Sequence, residues 1–120
     1  MALLALALAL AASGSVEGPT PAVAINGGRD WVYTTDYPRD ALAERRGGSV
    51  VMRLRVDSRS MVEECSVVES SGHADLDSIS CMAMAMRGRY EPARNADGQR
   101  IASDVMRAVR WDPDAANLAR

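Results

Sequence analysis

Residues 49–69 read SVVMRLRVDSRSMVEECSVVE and contain two apolar runs separated by a polar turn at 57–60. Every second residue of the first run is apolar, and this set consists of Val50, Met52, Leu54 and Val56. Such a period of two is typical of a strand with one buried and one solvated face. The second run, 61–69, is rich in β-branched residues but alternates imperfectly. The two runs predict a hairpin whose second strand has either a bulge or a partly covered outer face.

One short helix is predicted before this hairpin and a longer one after it. Pro38 suits a first helical position, and Gly47-Gly48 ends the pattern, so the first helix is expected over about 38–46. After Ser70-Ser71-Gly72, an apolar stripe at helical spacing predicts the second helix over 75–86. That stripe consists of Leu76, Ile79, Ala83 and Met86.

The last patterned segment, 100–111, follows an Asp97-Gly98 turn. Its apolar residues fit a strand by their period of two, while Ile101, Val105 and Ala108 also fit a helix. The turn and the Val, Ile and Trp content favour the strand. With a short extended piece over 87–93, the order predicts an α+β fold. We expect two short helices packed on one face of a three-stranded antiparallel sheet.

The N-terminal residues are almost pure Ala and Leu and are followed by small residues, which predicts a signal peptide over 1–13. The apolar run is shorter than a bilayer-spanning helix, so no stable membrane span is expected. No Lys or Arg precedes the run, which leaves open an upstream start and an inner-membrane anchor. Residues 14–30 read as a flexible leader, 31–112 as the domain and 113–120 as a disordered tail.

Composition restricts the class of protein. A chain of 120 residues supports one modest core, and a net charge of -2 disfavours nucleic-acid binding. Export would place Cys65 and Cys81 in an oxidising compartment, where the even count predicts a disulfide. Two separately buried free thiols stay open as the alternative.

The polar residues give no sign of catalysis. His73 is the only histidine and follows a glycine, so a loop position is preferred over a zinc site. Asp75 and Asp77 fit the first turn of a helix, where carboxylates are favoured. The segment Ser70-Ser71-Gly72 lacks the Gly-x-Ser-x-Gly pattern of a nucleophile elbow. We therefore expect a protein that is not an enzyme and has no catalytic residue, metal or cofactor.

Seven short motifs stand in one order along the chain: Asp36-Tyr37-Pro38 with Ala41, Gly48-Ser49-Val50, Val56-Asp57, Val67-Val68, Ser70-Ser71-Gly72, Leu76-Asp77 and Arg89-Tyr90-Glu91-Pro92-Ala93. In this order they resemble the C-terminal domain of TonB-family energy transducers over about residues 30–111. In that family the domain lies in the periplasm and binds an extended segment of an outer-membrane receptor by adding it to the sheet as a strand.

The resemblance implies a periplasmic protein-binding domain of TonB-dependent transport. Its partner would be an outer-membrane TonB-dependent receptor or another envelope protein. By position, the last strand corresponds to the family's partner-binding edge, whose residues here are Ile101, Ser103, Val105, Arg107 and Val109. A proline at Val105 is expected to remove one main-chain donor from that edge.

A full energy transducer also has a membrane anchor and a long Pro-rich linker, and the sequence shows neither. The alternative is therefore an envelope structural or interaction module of the same fold with no role in energy transduction. The identity of the receptor and the oligomeric state, including a homodimer, stay open.

Overall fold

The computed structural model describes residues 18–29 and 31–118, and the predicted signal peptide lies outside these ranges. Two short 3-10 turns, Ile25–Gly28 and Thr34–Asp36, accompany the regular elements. The described ranges contain the helices α1 (Arg39–Ala43), α2 (Ala74–Arg87) and α3 (Pro113–Leu118). The strands are β1 (Val23–Ala24), β2 (Gly48–Val56), β3 (Val62–Glu69), β4 (Tyr90–Glu91), β5 (Ala93–Arg94), β6 (Arg100–Ile101) and β7 (Ser103–Trp111).

The main sheet is three-stranded and antiparallel, as predicted, and its strand order is β3-β2-β7. The hairpin of β2 and β3 has register shifts after Val51 and after Arg55, which confirms the predicted bulging. The pairing of β2 with β7 is regular, and it runs from Gly48 opposite Trp111 to Val56 opposite Ser103. The segment that fitted both a strand and a helix is therefore a strand.

The core lies on one face of this sheet. The four alternating residues of β2 are all fully buried: Val50, Met52, Leu54 and Val56. Helix α2 packs over β2 and β3, and it buries Leu76 and Met84 against them. The strand period is thus confirmed, and of the predicted helix stripe Leu76 and Ala83 are buried. Met86 is wrong, because it is 60% exposed, and Ser80 and Met84 are buried instead. The predicted fold class is confirmed.

Helix α1 ends earlier than the predicted residue 46. Arg45 takes a left-handed backbone conformation, with φ of 54°, and this closes the helix before Gly47. Gly48 then enters β2 with φ of 149°, and a Cβ at that position would lie 2.8 Å from the carbonyl oxygen of Ser71. Glycine at Gly48 thus permits the close approach of the loop before α2.

Both ends of the described chain are more ordered than the sequence suggested. Within the predicted leader, β1 pairs with β4, and Thr20 pairs with Arg94. Within the predicted tail, Pro113 occupies the first position of α3. The missing N–H of proline costs nothing there, because the first N–H of a helix has no acceptor within the helix. The carboxylate of Asp112 accepts the N–H of Asp114 at 2.9 Å and so caps this helix. No helix in the described ranges is long and apolar enough to cross a bilayer.

Candidate partner-binding site

Strand β7 has a neighbour on one side only. It pairs with β2 along all nine of its residues, and no described strand lies on its other side, which we call the open edge. An open edge presents unpaired main-chain N–H and C=O groups that a further strand can pair with. The family resemblance predicts that a partner binds at this edge.

The alternation of hydrogen bonds in the sheet shows which residues of β7 direct their N–H and C=O groups to the open edge. At the β2–β3 turn, the N–H of Asp57 donates to the carbonyl of Met61 at 2.8 Å. Successive residues of a strand direct these groups to opposite sides, so Leu54 and the other even-numbered residues of β2 bond to β7. Leu54 lies opposite Val105. The groups that face the open edge consequently belong to Asp104, Met106, Ala108 and Arg110.

The predicted site residues divide into two groups in the structure. The side chains of Ser103, Val105, Arg107 and Val109 lie half-buried on the inner face of β7. Ile101 lies in β6 and pairs with Ala93, so it precedes the edge strand. Val105 directs its N–H toward β2, and a proline there would break the existing sheet rather than the open edge. The β7 residues predicted from the sequence thus direct their side chains to the inner face. The residues whose N–H and C=O groups face the open edge are their neighbours in β7, which no sequence pattern identified.

The inner face of β7 is covered at its middle by the segment that precedes α1. The guanidinium of Arg107 lies 5.2 Å from the ring centroid of Trp31, and Trp31 packs against Tyr90 with centroids 5.3 Å apart. Gly28 has φ of 77° and lies directly against the Arg107 guanidinium, so a side chain at Gly28 would collide with it. The site is thereby bounded on its inner side by Gly28 and Trp31.

Arg87, at the end of α2, fixes this segment. It donates to both carboxylate oxygens of Asp36, at 2.6 and 2.9 Å, and to the carbonyl of Trp31 at 2.8 Å. Its guanidinium also lies 4.2 Å from the ring centroid of Tyr33. The hydrogen bond from Arg87 holds the pKa of the Asp36 carboxyl below its usual value.

A cavity of about 140 Å³ lies where β7 ends and α3 begins, and we call it the anchor pocket. Its lining comes from the segment before α1, the end of β7 and the start of α3: Val32, Tyr33, Thr34, Tyr37, Arg110, Trp111, Asp112 and Ala115. Tyr37 and Trp111 meet edge to face, with centroids 5.1 Å apart. Burial raises the pKa of the Tyr37 phenol, whose hydroxyl donates to the carbonyl of Arg46. No sequence pattern signalled this pocket, because its walls are distant in the chain.

The opposite edge of the sheet, β3, is less suited to pairing. Both of its register shifts interrupt the ladder, and its exposed residues include Glu63, Glu64 and Glu69. Bulges and charged side chains are the features by which proteins protect strand edges. The regular edge of the sheet is therefore β7.

Cys65 on β3 and Cys81 on α2 form a disulfide with a Cα–Cα distance of 5.6 Å. The bridge joins α2 to the strand farthest from the open edge. The predicted pairing is present, and the alternative of two free thiols is not what the structure has.

The model of one protein family, described as the Gram-negative bacterial TonB protein C-terminal, matches residues 34–113. This range is two thirds of the chain, and it includes the whole main sheet and α2. No curated protein is significantly similar to the chain. The family match agrees with the resemblance carried by the seven motifs and with the α+β fold, so the chain belongs to the family of TonB C-terminal domains.

Proposed function

We propose that this domain binds an extended segment of an outer-membrane receptor by adding it as a strand to the open edge of β7, in the periplasm, as part of TonB-dependent transport. Family membership supports an interaction domain of the Gram-negative envelope. The observation that carries the finer proposal is the edge itself: β7 is regular over nine residues and is paired on one side only within the described chain.

The chemistry of such binding needs no catalytic group. Four alternate residues, Asp104, Met106, Ala108 and Arg110, offer N–H and C=O groups in the spacing of a β ladder. Each main-chain hydrogen bond contributes about 0.5–1.5 kcal/mol net, so a full set supports binding without a deep interface. Side chains on the two faces then select the partner.

The disulfide supports the proposed compartment. Cys65 and Cys81 are paired, and paired cysteines persist in an oxidising environment such as the periplasm. In a reducing compartment both would be thiols.

The test is a pair of substitutions at Ala108, an exposed residue in the middle of the open edge. Ala108→Pro removes an N–H that faces the open edge, while Ala108→Thr retains it and suits a strand. Titration calorimetry with synthetic peptides from the N-terminal segments of TonB-dependent receptors measures the effect. We expect Ala108→Pro to bind roughly 3- to 10-fold more weakly than Ala108→Thr, as the loss of one hydrogen bond requires.

Thermal unfolding of both variants controls for the fold. If the two variants are folded and bind the peptides equally well, partner binding does not use the open edge.

The role in transport has its own test. Receptor-dependent uptake should fail in cells that lack this protein and should return with Ala108→Thr but only weakly with Ala108→Pro. Normal uptake without the protein would favour the alternative of an envelope interaction module that does not transduce energy.

A further inference from the structure

The anchor pocket has the size and the lining of a side-chain receptor. Its volume is about 140 Å³, and Trp111, at 4% exposed, forms its inner wall beside Tyr33 and Tyr37. An apolar cavity of roughly 150 Å³ holds a benzene ring. The pocket therefore fits one branched aliphatic or phenyl-sized side chain.

The charged groups near the pocket are mostly engaged within the domain. The carboxylate of Asp112 caps α3 through the N–H of Asp114, and that of Asp36 is held by Arg87. Arg110, by contrast, makes no ion pair within the described part of the chain and is exposed. The pocket mouth thus offers a cation that a ligand can pair with.

The position of the pocket relative to β7 sets which ligand residues reach these groups. In a strand added beside β7, the residue opposite Arg110 directs its side chain to the outer face, as Arg110 does. The next residue along directs its side chain to the inner face, where Trp111 and Tyr33 line the pocket. This alternation holds for a parallel and for an antiparallel added strand.

We infer that the anchor pocket receives one apolar side chain of the added strand. The acidic residue that precedes or follows this apolar residue in the peptide pairs with Arg110. The ligand is an extended peptide in which a carboxylate neighbours a branched aliphatic or aromatic residue. This inference rests on the proposed strand addition at β7 and adds a sequence preference to it.

The experiment selects random peptides of nine residues, the length of β7, from a phage library on the full chain. Enriched peptides should share the adjacent acidic and apolar pair. Replacing the apolar residue of an enriched peptide by Ser should weaken binding tenfold or more, roughly the effect of burying one such side chain. Replacing its acidic residue by Lys should weaken binding to the natural chain, and Arg110→Glu should reverse that preference.

Two tryptophan substitutions test the pocket from the side of the protein. Ala115→Trp places an indole at the pocket wall, and the matched control Ala85→Trp places one on the exposed face of α2. Affinity for the enriched peptide should fall about tenfold for Ala115→Trp and stay unchanged for Ala85→Trp.

The outcomes separate this inference from the proposed function. Peptides that lose affinity for Ala108→Pro, yet lack the shared pair and bind Ala115→Trp normally, would overturn the pocket inference and leave strand addition standing. If no peptide is enriched, or if the enriched peptides bind Ala108→Pro as tightly as Ala108→Thr, both strand addition at β7 and the pocket inference are wrong.

Discussion

At the scale of single residues, the hydroxyl of Ser80 connects the long helix to the sheet. Trp111 Nε1 donates to Ser80 Oγ at 2.8 Å, and Ser80 Oγ donates to the carbonyl of Leu76 at 2.7 Å. Ser80 is fully buried, so water cannot take its place. These hydrogen bonds fix the Trp111 indole, which lines the anchor pocket, relative to α2.

Ser80→Ala should lower the free energy of unfolding by about 1–3 kcal/mol, because it leaves the Trp111 N–H buried without an acceptor. Urea unfolding followed by tryptophan fluorescence measures this. Tyr90→Phe is the matched control, since the buried Tyr90 hydroxyl has no hydrogen-bond partner among the described residues. The control should not lower stability, because it removes a buried hydroxyl that has no hydrogen bond to lose. Equal losses in the two variants would contradict the role given to Ser80.

The ion pair of Asp36 and Arg87 predicts a dependence of stability on pH. The hydrogen bond from Arg87 lowers the pKa of Asp36 in the folded chain. The pair therefore stabilises the fold fully above the unfolded pKa, about 3.9, and the contribution is lost as the pH falls through the lower, folded value.

Asp36→Asn should consequently reduce stability at neutral pH and flatten its decline below about pH 4. Part of the decline should remain, because Arg46 also lowers the pKa of Asp75. Denaturant titrations from neutral to acidic pH measure both. A variant whose stability declines as steeply as that of the natural chain would show that Asp36 is not the group responsible.

At the scale of elements, the disulfide joins α2 to β3 across 16 positions of the chain. Closing a loop of this length stabilises the folded state by roughly 3 kcal/mol in the chain-entropy model. The double variant Cys65→Ala, Cys81→Ala should therefore lose about that free energy of unfolding.

The same variant should retain its affinity for peptides at temperatures where it stays folded, since the bridge lies at the edge opposite β7. Calorimetric unfolding and peptide titration check the two statements. Lost affinity in the folded variant would mean that α2 and the open edge are coupled.

Elements with a long local pattern were predictable, and elements made by distant pairing were not. The strict alternation of β2 and the stripe of α2 each follow from neighbours in the sequence. Strand β1, by contrast, has two residues, and its partner β4 lies far along the chain. Nothing local distinguishes such a strand from a flexible leader.

The candidate site shows the same limit. The edge strand β7 followed from its period of two and from the family resemblance. Which residues of β7 direct their N–H and C=O groups to the open edge follows from the phase of the hydrogen bonds in β2. The bond from Asp57 to Met61 shows that phase, and the composition of the strands does not reveal it. The anchor pocket depends on Arg87 holding residues 31–36 beside the end of β7.

At the scale of the whole molecule, the fold has one protected side and one open side. The bulged, glutamate-bearing β3 carries the disulfide, while β7 is regular. For the proposed strand addition, this asymmetry predicts a single binding edge and a complex of one domain with one peptide. Static light scattering or native mass spectrometry of the complex should give that ratio, and two peptides per domain would show that β3 also accepts a strand.

The proposed export also concerns the whole chain. We propose that residues 1–13 are removed and that the mature periplasmic protein keeps its disulfide. Intact mass of the protein from the periplasm should show the shortened chain, and reduction should add two hydrogen atoms. A full-length mass, or none of the protein in the periplasmic fraction, would contradict this.

Strand addition at β7 is tested most directly by hydrogen exchange of individual amides, by NMR, with and without a bound peptide. In the free domain, the amides of Asp104, Met106, Ala108 and Arg110 should exchange quickly, and those of Val105 and Arg107 slowly. Bound peptide should slow the first set and leave the second unchanged. If the first set is already slow in the free domain, or if the peptide protects amides elsewhere and not these, the open edge is not where the partner binds.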